Sequence, residues 1–320
     1  MASMVVARSI ALKVDVDTLR GTLEGVPNLL RLFDEHQVRA TFLFSLGPDH
    51  TGRALRRIFR PGFLSKVRRT SVTSHYGLKT LLYGTLLPGP NISKRAAALL
   101  RSVADSGHEV GIHCHDHIRW QDFVAGKDRE WTRRELLLAA DAFEGVFGRA
   151  ARVHGAAGWR INRHALALEK DMGFDYASDC RGKSPFLPRM DGVDSACPQI
   201  PTTLPTLDEL VGLDGVDADN VHERVLAASK TMLPNGHVYT LHAELEGMQL
   251  LPVMGRVLDR WRADQVEIHP VETVFRSLEV ASLPRHEVVW GEVPGRSGRL
   301  AVQGPQRRCR EDNLMRLRPT

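Results

Sequence analysis

Apolar runs and segments with helical spacing alternate along most of this chain. Ile10–Asp17 carry a strand-like run, and Val38–Leu46 form an almost continuous apolar stretch, as in a strand that is covered on both faces. The alternation continues from Ile10 to about Phe275 and predicts an α/β fold with a parallel sheet, either open or closed into a barrel. The further strands that we expect are Glu109–His113, Ala151–His154, Phe174–Ala177 and His237–His242.

Helices are expected between these strands. Thr132 with Glu135 three residues later has the spacing of an N-terminal capping box, so we predict a helix over Thr132–Phe147. From Glu292 onward Gly, Arg, Gln and Pro dominate without periodicity, which predicts a mostly irregular tail. The other predicted helices are Gly25–His36, Ser93–Ser106, His164–Met172, Asn220–Leu233 and Leu251–Asp264.

The composition is that of an ordinary globular protein with an ample core, since 42% of the 320 residues are hydrophobic and 25% are charged. The four cysteines lack CxxC spacing, which indicates free thiols in a reducing compartment. No stretch reaches the roughly 20 apolar residues of a membrane span. Met1–Leu12 have neither the apolar stretch nor the cleavage site of a signal peptide, so a cytoplasmic location is expected.

The charge is distributed unevenly. His50–Ala104 contain eleven Lys or Arg and no Asp or Glu, so with +5 overall the rest of the chain carries a net charge of −6. Basic residues beside apolar ones suit an anionic membrane surface. A solvated basic helix beside a core hairpin is the alternative, and a nucleic-acid surface is disfavoured because no recognition motif is present. The residues expected to contact membrane or lipid are Arg53, Arg56, Arg57, Arg60, Phe63, Leu81, Leu82 and Tyr83.

Two carboxylates and three imidazoles stand at predicted strand ends. Asp15 and Asp17 are two apart, so both point to the same side of their strand. His113 and His117 are four apart and can converge on one ion if the chain after the strand is helical. A carboxylate and two imidazoles leave open positions for water and substrate, as catalytic metal sites do. His242 closes another predicted strand, and parallel folds build their sites at the carboxyl ends of strands.

Four segments, in this order, resemble the polysaccharide deacetylase (NodB-type) family: ALKVDVDT, VRATFLF, GHEVGIHCHDH and, near the end, TLH. The resemblance covers most of the chain and implies a distorted (β/α) barrel of about seven parallel strands. It also implies that Asp15 is the catalytic base, that Asp17, His113 and His117 hold one divalent cation, and that His242 is the catalytic acid. We therefore expect a catalytic barrel over residues 1–275, with a membrane-associating insertion at about 50–92, and a partly irregular extension over 276–320.

The third motif of the family, Arg-x-Pro-Tyr, is altered in this chain. His154 stands where the Arg is expected, in the stretch VHGAAGWR that ends at Arg160. The Arg of the family orients the base. His154 and Arg160 are therefore the candidates for that role or for contact with the substrate.

Several variant motifs resemble one branch of the family: VDVDT, HCHDHIRWQD, AAGWRIN, YASDCRG and WGEVPGR. That branch removes the N-formyl group from 4-deoxy-4-formamido-L-arabinose linked to undecaprenyl phosphate, in the lipid A modification that gives polymyxin resistance. The resemblance implies a metal-dependent deformylase, a lipid-linked phosphosugar as its partner, and a peripheral position on the inner face of the cytoplasmic membrane. We expect neither nucleic acid nor an obligate protein partner.

Alternatives remain open for the metal and for the function. A carboxylate, two imidazoles and water suit Zn²⁺, and Mn²⁺, Co²⁺ or Ni²⁺ would also bind. The rival functions are N-deacetylation of another amino sugar and an inactive relative that binds a lipid-linked sugar. The altered third motif favours the inactive relative, whereas the presence of all five site residues favours an enzyme. A phosphohydrolase would need a second metal or more carboxylates, and the sequence shows no such cluster.

Overall fold

Parallel strands form the main sheet of the protein, which a computed structural model describes over residues 8–54 and 80–307. The strands are, in chain order, β1 (Ser9–Val16), β2 (Thr41–Ser45), β3 (Glu109–Cys114), β4 (Val153–His154), β5 (Tyr176–Ala177), β6 (Leu187–Met190), β7 (Val193–Asp194), β8 (His237–His242), β9 (Glu267–Pro270), β10 (Arg285–Glu292) and β11 (Arg299–Gln306). The main sheet has the order β5-β4-β3-β2-β1-β8, and β9 pairs with the first half of β1. All of these pairings are parallel, as the alternating pattern predicts.

An irregular segment joins the two ends of this strand order. The amide of Ile200 donates to the carbonyl of Ala177 on β5 (2.8 Å), and the amide of Thr203 donates to the carbonyl of Val238 on β8 (3.0 Å). Both outer strands are thus paired to one stretch of chain that forms no regular strand of its own. This arrangement confirms the expected distorted (β/α) barrel of about seven parallel strands.

Helices pack against the strands to form the main core. Phe33 and Leu100, each from a different helix, are fully buried together with Phe42 and Phe44 of β2. The almost continuous apolar pattern of β2 has this cause, since all five of its residues are buried. The helices are α1 (Val26–Glu35), α2 (Ile92–Asp105), α3 (His117–Phe123), α4 (Arg129–Phe147), α5 (Arg163–Asp171), α6 (Leu207–Leu210), α7 (Val221–Ala228), α8 (Leu251–Ala263) and α9 (Val271–Arg276). No helix within the described ranges is both long enough and apolar enough to cross a membrane.

The predicted start of α4 at Thr132 is wrong. The helix begins at Arg129, with Asp128 as its N-cap, because the Asp128 side chain accepts from the amide of Trp131 (2.9 Å). Thr132 lies inside the helix, and its hydroxyl donates to the carbonyl of Asp128 (2.8 Å). Glu135 closes no capping box and pairs instead with Arg119 (2.9 Å). An aspartate four residues earlier therefore takes the capping role.

The prediction of an irregular tail after Glu292 is also wrong over the described residues. Strands β10 and β11 form an antiparallel hairpin, and β10 continues as a parallel neighbour of β6. The result is a second sheet with the order β11-β10-β6-β7. In this sheet β10, which follows residue 275, pairs with β6, which precedes it. The sheet therefore contains strands from both sides of the expected boundary.

The insertion after β2 begins next to the main sheet. The Asp49 carboxylate accepts from the amide of Leu19 (2.9 Å), and Nδ1 of His50 lies 2.6 Å from the carboxylate of Asp116, the residue just before α3. The chain is described again from a 3₁₀ turn at Thr80–Leu82. The predicted contact residues Arg56, Arg57, Arg60 and Phe63 lie outside the described residues.

Candidate functional site

The end of β1 carries two acidic side chains beside its neighbouring strands. Asp15 is in register with Leu43 of β2 and with His242 of β8, so the three strand ends meet here. Asp17 follows the last residue of β1, and its amide donates to the carboxylate of Glu244 (3.0 Å). Asp15 and His242, which are far apart in sequence, therefore lie on adjacent strands.

His113 and His117 come together because the chain changes from strand to helix between them. His113 is on β3, and His117 is the first residue of α3, whose N-cap Asp116 accepts from the amide of Arg119 (3.0 Å). The two imidazole rings stack with their centroids 5.4 Å apart. The HxxxH spacing thus converges as the sequence predicts, with a helix following the strand.

Asp17, His113 and His117 form a group that could hold a metal ion. Nε2 of His113 lies 3.3 Å from Oδ1 of Asp17, and Nε2 of His117 lies 3.4 Å from Oδ2. All three ligand atoms lie within 4.8 Å of one another, as the ligands of one cation would. Burial alone would raise the pKa of Asp17, but the adjacent His117 and His113 lower it well below its usual range. The carboxylate is therefore in the charged form that a cation requires.

Two further contacts fit a metal centre. Nδ1 of His113 lies 2.6 Å from the carbonyl of Gly155, so Nδ1–H donates there and the lone pair of Nε2 is directed at Asp17. Oδ1 of Asp17 is buried and has no hydrogen-bond partner among the described residues. A cation would satisfy that oxygen. The donor set, one carboxylate and two imidazoles, agrees with this interpretation.

Lys13 is the site residue that sequence reasoning missed. Its ammonium is fully buried and lies 3.4 Å from Oδ2 of Asp15 and 3.3 Å from the carbonyl of Ser178, where it donates a hydrogen bond. The ring of Trp159 lies 5.3 Å from the same nitrogen. The signal was present in the sequence, because the two-residue period that places Asp15 and Asp17 on one side of β1 also places Lys13 there.

His242 lies at the end of β8, within reach of two acidic residues. Its amide donates to the carboxylate of Glu246 (2.8 Å), and burial raises the pKa of Glu246 to about 8. Its Nδ1 lies 4.0 Å from Oδ1 of Asp208 on α6 and has no hydrogen-bond partner among the described residues. Trp159 packs edge-on to the imidazole at 6.2 Å. Backbone and ring contacts thus fix where this imidazole lies.

The expectation that His154 orients Asp15 is not supported by its contacts. His154 is completely buried, and its Nδ1 lies 3.0 Å from Glu169 and 2.9 Å from Asp179. Burial alone would lower the pKa of His154, but Asp179 and Glu169 raise it to about 10. Lys13, and not His154, provides the cation beside Asp15.

His154, Glu169 and Asp179 are themselves close enough to hold a metal. Burial raises the pKa of Glu169 well above its usual range, whereas the adjacent His154 outweighs burial and keeps the pKa of Asp179 low. One cation, one anion and one neutral acid therefore balance each other. The Asp179 carboxylate also accepts from the amide of Ala156 (2.7 Å), which fixes the loop that carries the Gly155 carbonyl. The triad thereby helps to position the carbonyl that accepts from His113.

Arg160 contacts the C-terminal hairpin. Its guanidinium donates to the carbonyl of Arg299 (3.0 Å) and lies 4.9 Å from the ring of Trp290. The structure therefore brings Arg160 to the hairpin.

The expected lipid contacts in the described part of the insertion differ in how exposed they are. Leu81 is buried, which argues against a role for its side chain in lipid contact, and Leu82 and Tyr83 are half-buried. Leu86, which was not among the expected contacts, is 82% exposed. Arg53 donates to the carbonyl of Gly84 (3.1 Å) and thereby joins the two ends of the insertion.

Comparison with known proteins identifies the family. The model of the polysaccharide deacetylase family matches residues 5–177, more than half of the chain. The chain belongs to the polysaccharide deacetylase family. Its membership makes it a hydrolase of amide C–N bonds and agrees with the motif order found in the sequence.

Two relatives of this polysaccharide deacetylase carry the same name, "probable 4-deoxy-4-formamido-L-arabinose-phosphoundecaprenol deformylase ArnD". The protein from Shewanella sediminis (strain HAW-EB3) is 37% identical over 295 residues, which are 92% of this chain and 94% of the relative. The protein from Wigglesworthia glossinidia brevipalpis is 31% identical over 284 residues, which are 88% of this chain and 98% of the relative. Similarity therefore extends well beyond the residues that the family model matches.

The fold of this polysaccharide deacetylase has solved counterparts. The crystal structure of a "putative polysaccharide deacetylase from Mycobacterium smegmatis" superposes with a TM-score of 0.61 and 18% identity, covering 90% of this chain and 96% of that one. At this identity the likeness concerns the fold alone. It supports the parallel-stranded architecture described above.

Proposed function

We propose that this polysaccharide deacetylase removes the N-formyl group from 4-deoxy-4-formamido-L-arabinose linked to undecaprenyl phosphate, in the aminoarabinose modification of lipid A that gives polymyxin resistance. The observation that carries the proposal is the group of Asp17, His113 and His117 beside the buried Lys13–Asp15 pair. The two deformylase relatives, similar along almost the whole chain, support the choice of substrate.

A divalent cation held by Asp17, His113 and His117 would polarise the formyl oxygen and lower the pKa of water. Zn²⁺ suits this donor set, and Mn²⁺, Co²⁺ and Ni²⁺ are the alternatives. The metal that restores most activity to chelator-treated protein would identify it.

Asp15 and His242 would perform the proton transfers of the reaction. Asp15 is buried at the end of β1 with one carboxylate oxygen paired to Lys13. Its Oδ1 has no hydrogen-bond partner among the described residues, so this oxygen would take the proton of the attacking water. His242 lies on the adjacent strand, in register with Asp15. It would donate a proton to the sugar nitrogen as the C–N bond breaks, because an amide anion is too basic to leave.

The test is release of formate from the purified lipid-linked N-formyl sugar. Asp15→Asn should lower kcat by about 10²- to 10⁴-fold and retain the metal, because it removes a proton acceptor and no ligand. His117→Ala should lower metal content together with activity. Wild-type protein that releases acetate from the N-acetyl sugar, and no formate, would instead be a deacetylase of another amino sugar, and Asp15→Asn near wild-type activity would contradict the assignment of the base.

We also propose that the protein lies peripherally on the cytoplasmic face of the inner membrane. The eleven Lys and Arg of residues 50–104 and the exposed Leu86 support this, since each basic residue near an anionic surface contributes about 1 kcal/mol. The insertion begins beside the residue that precedes α3, close to the metal ligand His117. A lipid-linked sugar could therefore reach the site without leaving the membrane surface.

Deletion of residues 53–69 tests this position. The variant should sediment far less with vesicles that contain anionic phospholipid, while it keeps its activity on a water-soluble analogue of the N-formyl sugar. Neutral vesicles are the control for charge. Equal sedimentation of the variant and wild type with anionic vesicles would contradict the membrane proposal and leave the deformylase proposal intact.

A further inference from the structure

The turn of the C-terminal hairpin is seated directly on helix α6. Gly295 in this turn has φ of +81°, and a Cβ added there would lie 1.9 Å from the carbonyl oxygen of Glu209. Only glycine tolerates both this conformation and this approach. The next residue, Arg296, is thereby placed over the side chains of α6.

All three guanidinium nitrogens of Arg296 contact carboxylates of α6. Its Nη1 lies 3.0 Å from Oδ2 of Asp208, its Nη2 lies 3.2 Å from Oδ1, and its Nε lies 3.0 Å from Oε1 of Glu209. The arginine side chain is 13% exposed and lies 4.7 Å from the ring of Trp159. Such a two-pronged contact fixes the plane of a carboxylate, which a single-point cation does not.

The carboxylate held in this way faces His242. Oδ1 of Asp208 lies 4.0 Å from Nδ1 of the imidazole and also accepts from the hydroxyl of Thr206 (2.6 Å). Two further titratable neighbours of the imidazole are Asp17, which interacts with it electrostatically, and Glu246, which accepts from its backbone amide. Long apo distances between catalytic groups commonly shorten when substrate binds.

We infer that Arg296 of the C-terminal hairpin is a positioning residue that holds Asp208 opposite Nδ1 of His242. The inference rests on the proposed function, in which His242 is the acid. When both ring nitrogens of His242 bear a proton, a carboxylate on the Nδ1 side faces one N–H and leaves the Nε2 proton for the departing sugar nitrogen. The hairpin residue thus acts on proton donation without touching the substrate.

The leaving group tests this inference. A 4-nitrophenyl formate ester expels an anion that needs no proton. The sugar nitrogen of the N-formyl substrate, in contrast, must be protonated as it leaves. Arg296→Gln should lower kcat on the N-formyl sugar by about 10²-fold, with little change in KM, and leave hydrolysis of the ester near wild type. Arg296→Lys keeps the charge without the fork and should show a smaller loss of the same selectivity.

Matched variants separate the possible failures. Arg299→Gln, an exposed position of the same hairpin, should behave as wild type on both substrates. Equal losses by Arg296→Gln on sugar and ester, or no loss on the sugar, would overturn the role of the hairpin. If Arg296→Gln does not fold, the same comparison of kcat on the sugar and on the ester is made with Arg296→Lys, and equal losses would again overturn the inference. If His242→Gln loses both substrates equally, the assignment of His242 as the acid fails and this inference with it, whereas formate release by the wild type still decides the deformylase proposal.

Discussion

At the scale of single residues, the buried pair of Lys13 and Asp15 is the distinctive feature of the site. An unpaired charge in so buried a position would be strongly unfavourable, and the two side chains neutralise each other at 3.4 Å. Lys13 also provides the cation beside Asp15, a role that the family resemblance led us to expect of His154 or Arg160. The altered motif therefore does not by itself indicate an inactive relative.

Lys13→Met should lower kcat by about 10²-fold without loss of metal, because Asp15 loses the contact that fixes its orientation. Removing one partner of a buried pair costs about 3–5 kcal/mol of stability, so thermal unfolding is measured alongside. Lys13→Arg keeps the charge and should recover part of kcat. A Lys13→Met protein that is less stable but has wild-type kcat would show that the pair serves folding only.

The triad of His154, Glu169 and Asp179 predicts a dependence of stability on pH. The pKa of His154 is about 10 in the folded protein against 6.5 for the ordinary group, so the folded state binds more protons between these values. This contribution is fully present below pH 6.5 and is lost as the pH rises toward 10. The raised pKa of Glu169 acts in the same direction.

We therefore expect the wild type to lose stability between pH 6.5 and 10 more steeply than His154→Asn. Urea unfolding at several pH values measures this difference. Glu169→Gln, which removes one titrating member of the triad, should also flatten the slope. Parallel curves for wild type and His154→Asn would show that the imidazole is not charged in the folded protein.

At the scale of elements, the segment after β8 fixes the end of β1. The carboxylate of Glu244 accepts from the amides of Asp17 (3.0 Å) and Thr18 (2.8 Å). Gly21, in the π-helical turn Gly21–Gly25, leaves room for it, because a Cβ there would lie 1.9 Å from Oε1 of Glu244. The backbone of Asp17, the proposed metal ligand, is thus held by the segment that follows the neighbouring strand.

Gly21→Ala should push Glu244 away from the Asp17 amide and weaken metal binding by about 10- to 100-fold, as loss of supporting contacts does at metal sites. Isothermal titration of metal into chelator-treated protein measures this. Gly145→Ala, within α4, serves as a control for glycine replacement, because no atom lies within 4 Å of its added Cβ. Unchanged metal affinity in Gly21→Ala would contradict this role of the turn.

The elements that follow from local pattern were predictable from the sequence, and those that depend on distant partners were not. β2 and β8 have strong apolar patterns, and the HxxxH spacing correctly indicated a strand followed by a helix. The residues 299–306 have little periodicity and form β11 because β10 pairs with them and β10 in turn finds β6. Lys13 was missed because a lysine in a strand usually faces water, and here burial comes from the barrel.

At the scale of the whole molecule, the metal centre should contribute to stability. Its proposed ligands come from the residue after β1, from β3 and from α3, which the unfolded chain does not hold together. With free metal at 100 times its Kd, binding stabilises the folded state by about 2.7 kcal/mol. Chelation should therefore lower the Tm of the wild type and leave that of Asp17→Asn unchanged, as scanning calorimetry can measure. An equal drop in both would indicate that the chelator acts elsewhere.

Lys13, Asp15 and Asp17 lie on a single stretch of backbone, so their relative positions are linked. In one extended stretch the spacing between Lys13, Asp15 and Asp17 is set by bond geometry, and packing between strands does not alter it. Any slip of that strand would displace all three groups as one unit. The loop at 155–160 therefore does not have to supply the cation beside Asp15, and its Arg160 contacts the C-terminal hairpin.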